Sequence, residues 1–275
     1  MLVTVLFALV ATPMVGWLAE NLVDERAAHA AQRAEMAERV RDGFLRQGML
    51  PSQAPAAPQV SRSGVELLHV TQPFSLDLAG GKLAGEAPST AAEERAAVIV
   101  AEELARYPSG FLPAHRLQRV VLCARLTEAG APIPSLPNVD QALILDVDAP
   151  DAFLRRLIHH EVFHFIDYAA DDQVRTDPEW DALNDRYFVY GFGGRFVREG
   201  SASRFGSGGP GFVTEYAKSA VEEDKAETYA FLLTAPTQMR AAAAQDPTLF
   251  KKADAILDTL EKRDPRTQAL FAMRP

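Results

Sequence analysis

Cysteine is almost missing from this chain: its 275 residues contain one, Cys123. A single thiol excludes an intrachain disulfide framework and a zinc cluster built on cysteines. Its setting, "RVVLCARL", is apolar, which marks a buried, inert thiol rather than a nucleophile. An excess of positive charge is missing too. Lys and Arg number 28 against 37 Asp and Glu, for a formal net charge of −9. No basic stripe interrupts that balance, so the electrostatic footprint of a nucleic-acid binder is lacking. No internal repeat is present. What remains is ordinary globular composition, 48% hydrophobic and 24% charged. The length suits one sizeable domain with an appendage, or two small domains.

Charge is absent from residues 1–19, "MLVTVLFALVATPMVGWLA". That run is close to the roughly 20 residues a helix needs to span a bilayer. A membrane anchor or uncleaved signal is the favoured reading. A cleaved signal peptide usually begins with a basic segment, which is lacking here, and a buried helix would need another apolar surface over it. Residues 20–49 are rich in Ala, Glu and Arg and free of proline, as in a helical stalk. Residues 50–64, "LPSQAPAAPQVSRSG", have the composition of an extended linker, which places the compact domain at 65–275.

Within that domain "VELLHVTQPFSL" reads as a strand and turn, and "STAAEERAAVIVAEELARY" as an amphipathic helix capped by Ser89 or Thr90. "RLQRVVLCARL" and "QALILDVD" read as strands. "DAFLRRLIHHEVFHFIDYAA" has helical apolar spacing with Asp151 as N-cap, and "EYAKSAVEEDKAETYAFLL" is a second strong helix. Pro247 and Pro265 bound one or two further helices. The fold class is α+β: a small mixed sheet with several helices.

His160, Glu161 and His164 spell H-E-x-x-H on the first of those helices. Residues four apart on a helix differ by about 40° in azimuth and about 6 Å along the axis, so both imidazoles leave one face. Neutral imidazole is a good zinc ligand, and the intervening glutamate stands where it can take a proton from an activated water. A metzincin would continue with a glycine and a third histidine, but those places hold Asp167 and Ala170. The remaining common solution is a glutamate from a second helix. Glu223 and Glu227 lie four apart on "EYAKSAVEEDKAETYAFLL", whereas Glu222, Asp224 and Lys225 read as its solvated face. Asp167 and Glu227 are candidates to accept a hydrogen bond from a ligand imidazole and fix its tautomer. His159 should point away from the metal. His29, His69 and His115 have no partner at ligand spacing.

Two stretches, "HEVFHFID" and "EYAKSAVEEDKAETYA", carry a resemblance to the zinc peptidases related to the anthrax lethal factor catalytic domain and the secreted Pro-Pro endopeptidases. It covers roughly residues 65 to 240. The resemblance implies a zincin-like fold, with His160, His164 and Glu223 as zinc ligands and Glu161 as general base. Tyr216, seven residues before Glu223, takes the family's oxyanion-stabilising role. Departures are His159 ahead of the motif, Phe163 in place of a small residue, and a long glycine-rich spacer before Glu223. The expected activity is zinc-dependent peptide hydrolysis, with one zinc per chain, a protein or peptide substrate, and a secreted or envelope location. The alternative is an inert, zinc-stabilised binding or adhesion module.

Overall fold

The computed structural model describes residues 49–78, 81–139, 141–170, 177–191, 193 and 203–271. The expected anchor at 1–19, and the stalk up to residue 48, lie outside the described residues. Among those described, no helix is long and apolar enough to cross a membrane.

Eight strands form one mixed sheet: β1 (Met49–Pro51), β2 (Glu66–Val70), β3 (Phe74–Leu78), β4 (Gly81–Glu86), β5 (Arg119–Glu128), β6 (Ala131–Pro132), β7 (Ser135–Val139) and β8 (Ala142–Asp146). The long strand β5 organises it. Its first half runs parallel to β2 on one side and β8 on the other, while its second half pairs antiparallel with β4 and β6. Arg125, at φ 52°, marks the change, and the β4–β5 register slips between Ala84 and Glu86. An extra residue reverses the facing of everything beyond it. Thus Val121 and Cys123 share one face with Leu126, although strict alternation would put Leu126 on the other. Gly85 opposes Phe74, and a Cβ there would come within 2.6 Å of the ring.

The opposite face, through Leu67, Val120, Leu122, Leu143 and Leu145, packs on the helices. In chain order these are α1 (Ala57–Arg62), α2 (Thr90–Leu104), α3 (Phe111–Ala114), α4 (Asp151–Ala170), α5 (Pro178–Asp181), α6 (Val221–Thr234), α7 (Pro236–Ala243) and α8 (Pro247–Arg263). Ser89 caps α2 by accepting from the Ala92 N–H. Asp151 sits in the first turn of α4 and pairs with Arg95 of α2, which also donates to the Val147 and Ala149 carbonyls leading into the helix. Residues 158–166 of α4 are buried on every side. A helix apolar all round belongs inside a core, so its His159, His160, Glu161 and His164 each need a polar partner.

Two expectations need correcting. Residues 50–64 are no extended linker: β1 pairs with β2, Val60 of α1 is fully buried, and Ser52 donates to the buried Glu93 carboxylate. Of the prolines and alanines that mimic a linker, Pro51 ends an edge strand, Ala57 and Pro58 open a short helix, and Ala54, Pro55 and Ala56 form the turn between them. Nor is "EYAKSAVEEDKAETYAFLL" one helix. Tyr216–Ser219 forms a 3-10 turn and Ala220 is extended, at φ −165° and ψ 160°. The Lys218 and Ser219 carbonyls accept from the Gly191 and Gly193 N–H groups instead of continuing a helix.

Candidate metal centre

Helices α4 and α6 face each other, and their polar residues meet at one point. His160 Nε2 lies 3.0 Å from Glu223 Oε2 and 3.2 Å from His164 Nε2, and His164 Nε2 lies 3.6 Å from the same Glu223 oxygen. Among the described residues, these three are the group able to offer ligand atoms to one ion. Donors each 2.0–2.1 Å from a tetrahedral zinc stand about 3.3 Å apart, and the three separations bracket that value. The donor set also matches zinc chemistry, since two imidazoles and a carboxylate leave a fourth position open.

Electrostatics point the same way. Burial alone would push the His160 and His164 pKa values down, yet Glu223, joined at His160 by Glu227, holds both above the ordinary value. Burial raises Glu223 in turn, but the two imidazoles bring its carboxyl well below the usual range. The cluster therefore favours positive charge, which a cation supplies without protonating the ligands.

Of the other expected residues, Glu227, Tyr216 and Glu161 stand around these atoms. Glu227 accepts from His160 Nδ1 at 2.9 Å through Oε1, and from the Thr214 hydroxyl at 2.9 Å through Oε2. Thr214 Oγ1 also accepts from the Ala217 N–H, tying His160 to the turn that bears Tyr216. The Tyr216 ring lies 5.9 Å from that of His160. Burial first, then the Glu223, Glu161 and Glu227 carboxylates, push its phenol pKa well up, so it keeps its proton and can donate. Glu161 accepts from Ser135 Oγ at 2.5 Å through Oε1, while Oε2 is buried without a partner. That orphan oxygen belongs to a carboxylate whose charge is felt by both His164 and Tyr216, and a buried acceptor without a donor calls for a partner.

Asp167 is placed elsewhere. Its carboxylate meets Lys225 Nζ at 3.4 Å, and Lys225 also binds Asp177 at 2.6 Å. One turn past His164, it reaches Lys225 near the start of α6 rather than the His160 or His164 imidazole. Asp224 and Lys225, read from the sequence as solvated, are buried. Asp224 accepts from Lys252 Nζ at 2.7 Å, Trp180 Nε1 at 2.9 Å and the Tyr190 hydroxyl at 2.6 Å. His159 points away from the cluster into a fully buried site, contacting Glu103 at 2.8 Å and the Tyr107 hydroxyl at 2.7 Å. His69 pairs with Glu93 at 2.6 Å and His115 with the Phe111 carbonyl at 2.8 Å. Burial pushes the Cys123 thiol pKa up, in keeping with an inert group.

Sequence reasoning missed Ser135 and Thr214. Ser135 gave no signal, because its partner lies across the fold; Thr214 stood in view, two residues before Tyr216. Comparison with protein-family models, curated proteins and solved structures finds no match to this chain.

Proposed function

We propose that this chain is a zinc-dependent endopeptidase with a zincin-like catalytic domain, akin to the anthrax lethal factor and Pro-Pro endopeptidase group. One observation carries the reading. His160 Nε2, His164 Nε2 and Glu223 Oε2 converge within 3.6 Å of one another, beside a buried Glu161 oxygen that has no partner. Zinc held by those atoms would supply Lewis acidity toward a peptide carbonyl and would acidify a water. Glu161 takes the water's proton at Oε2 and returns it to the leaving amine. Tyr216 donates its O–H to the carbonyl oxygen as negative charge gathers there. Glu227 holds the proton on His160 Nδ1, which leaves the lone pair at Nε2. An exported or membrane-anchored location follows from residues 1–19, and the substrate class is protein or peptide.

The purified chain should carry one zinc. Glu161→Gln should retain it while hydrolysis falls by about a hundred-fold or more. A Glu161→Gln chain that cleaves as fast as the parent overturns the mechanism. A zinc-loaded parent that cleaves nothing in a peptide library replaces the peptidase with a binding or adhesion module.

A further inference from the structure

Ser135 opens β7, whose partner in the sheet is β8. Backbone pairing fixes its place: Ser135 stands opposite Leu145, and the Asp146 N–H donates to the neighbouring Pro134 carbonyl at 2.9 Å. Ser135 is 8% exposed, and its side chain reaches across to α4, where its Oγ donates to Glu161 Oε1 at 2.5 Å. That length falls in the range of a hydroxyl donating to an ionised carboxylate, the stronger class of hydrogen bond. The final torsion of a glutamate is broad and roughly two-fold, so an untethered carboxylate would rotate. Here one oxygen is held by a strand and the other is left without a partner.

We propose that Ser135 is the positioning residue of Glu161, anchoring Oε1 to the sheet so that Oε2 is presented to the reacting water. This rests on the peptidase reading. The strand, not the helix alone, then sets the direction of the base. A helix residue has three long torsions between backbone and carboxylate, and a rigid donor from a second element removes the last freedom. Misdirecting a base affects the proton transfer while leaving substrate and metal binding in place.

Two measurements on the full chain test this. The first is an unfolding cycle of Ser135→Ala and Glu161→Ala. Ser135→Ala should shift the folding equilibrium about ten-fold in the parent and less than about two-fold in Glu161→Ala, because a hydrogen bond to a charged group is lost only in the first. Equal shifts in both backgrounds overturn the proposal, whether or not any peptide is cleaved. The second is steady-state peptide hydrolysis. Ser135→Ala should lower kcat about ten-fold with KM and zinc content unchanged, and Ser135→Thr should recover most of the loss. An unchanged kcat, or a loss confined to KM or zinc content, overturns the positioning role. A parent that hydrolyses nothing sinks the peptidase reading separately, and the unfolding cycle still decides the Ser135–Glu161 link.

Discussion

Glu227 spends its two carboxylate oxygens on different elements, one on His160 and one on Thr214. In the proposed centre, that makes Glu227 the residue that would orient the His160 imidazole as a ligand. Removing an outer acceptor of this kind typically weakens metal affinity by 10–100-fold. Glu227→Ala is accordingly expected to weaken zinc binding by about that factor, measured by competition with a chelator; unchanged affinity would contradict the assignment. Asp167→Ala should leave zinc affinity within about two-fold, since its carboxylate faces Lys225. Its effect should appear instead as a modest loss of stability, because Lys225 keeps Asp177 as a partner. At this scale the sequence was legible where the geometry is local. His160, Glu161 and His164 are set by helical spacing alone. Glu223 needed a second helix and a family resemblance, and Ser135 needed the tertiary fold.

Among the elements, α4 is held on the side away from the His160, His164 and Glu223 cluster as well as at the cluster itself. Glu103 of α2 accepts from Arg155 at 2.6 Å, lies 2.8 Å from His159, and accepts from Arg106 at 3.0 Å. The Tyr107 hydroxyl touches His159 and also accepts from Tyr229 of α6 at 3.1 Å. Burial raises the Glu103 pKa, but His159, Arg155 and Arg106 outweigh it and bring it from the ordinary 4.5 to about 2. A folded value below the unfolded one means stability that is present above pH 4.5 and lost as pH falls toward about 2. At about 1.4 kcal/mol per pH unit, that contribution is of order 3 kcal/mol. Glu103→Gln should thus be less stable than the parent at pH 7, with the gap closing between pH 4.5 and about 2. Urea unfolding across that range would show it, and a gap independent of pH would contradict it.

The segment before α6 is equally constrained. A Cβ at Gly208 would lie 2.4 Å from the Thr214 carbonyl oxygen and 2.7 Å from Phe212 Cβ. Gly208→Ala should therefore cost about 1–3 kcal/mol of stability, measured by thermal or urea unfolding, and displace the turn that carries Tyr216. An Ala variant as stable as the parent would show that the turn adapts. The helices α2 and α4 and the strands β5 and β8 were readable because each carries a continuous apolar run or helical spacing, although the change of facing at Arg125 within β5 was not. The break at Ala220 was not, since the Gly191 and Gly193 donors that cause it come from a different stretch of chain. Strand β7, "SLPNV", was hidden by Pro137, which an edge strand tolerates.

For the molecule as a whole, the domain begins earlier than composition suggests. Val60, Ala54 and Ala56 are buried in the helix-side core, and Ser52 reaches Glu93. Removing residues 1–64 should strip β2 of its β1 partner, uncover that core and abolish cooperative unfolding. Removing 1–48 keeps every described contact and should retain a cooperative transition. Circular dichroism during heating separates the two, and equal melting would mean that residues 49–64 add nothing. The most direct measurement concerns the ion itself: zinc bound per chain by the parent and by Glu223→Ala at matched free zinc. One zinc per parent chain, with affinity lower by about two orders of magnitude or more in Glu223→Ala, is the expected result. Equal occupancy in the two would contradict the account, because the α4 histidines would then hold the ion without the α6 carboxylate.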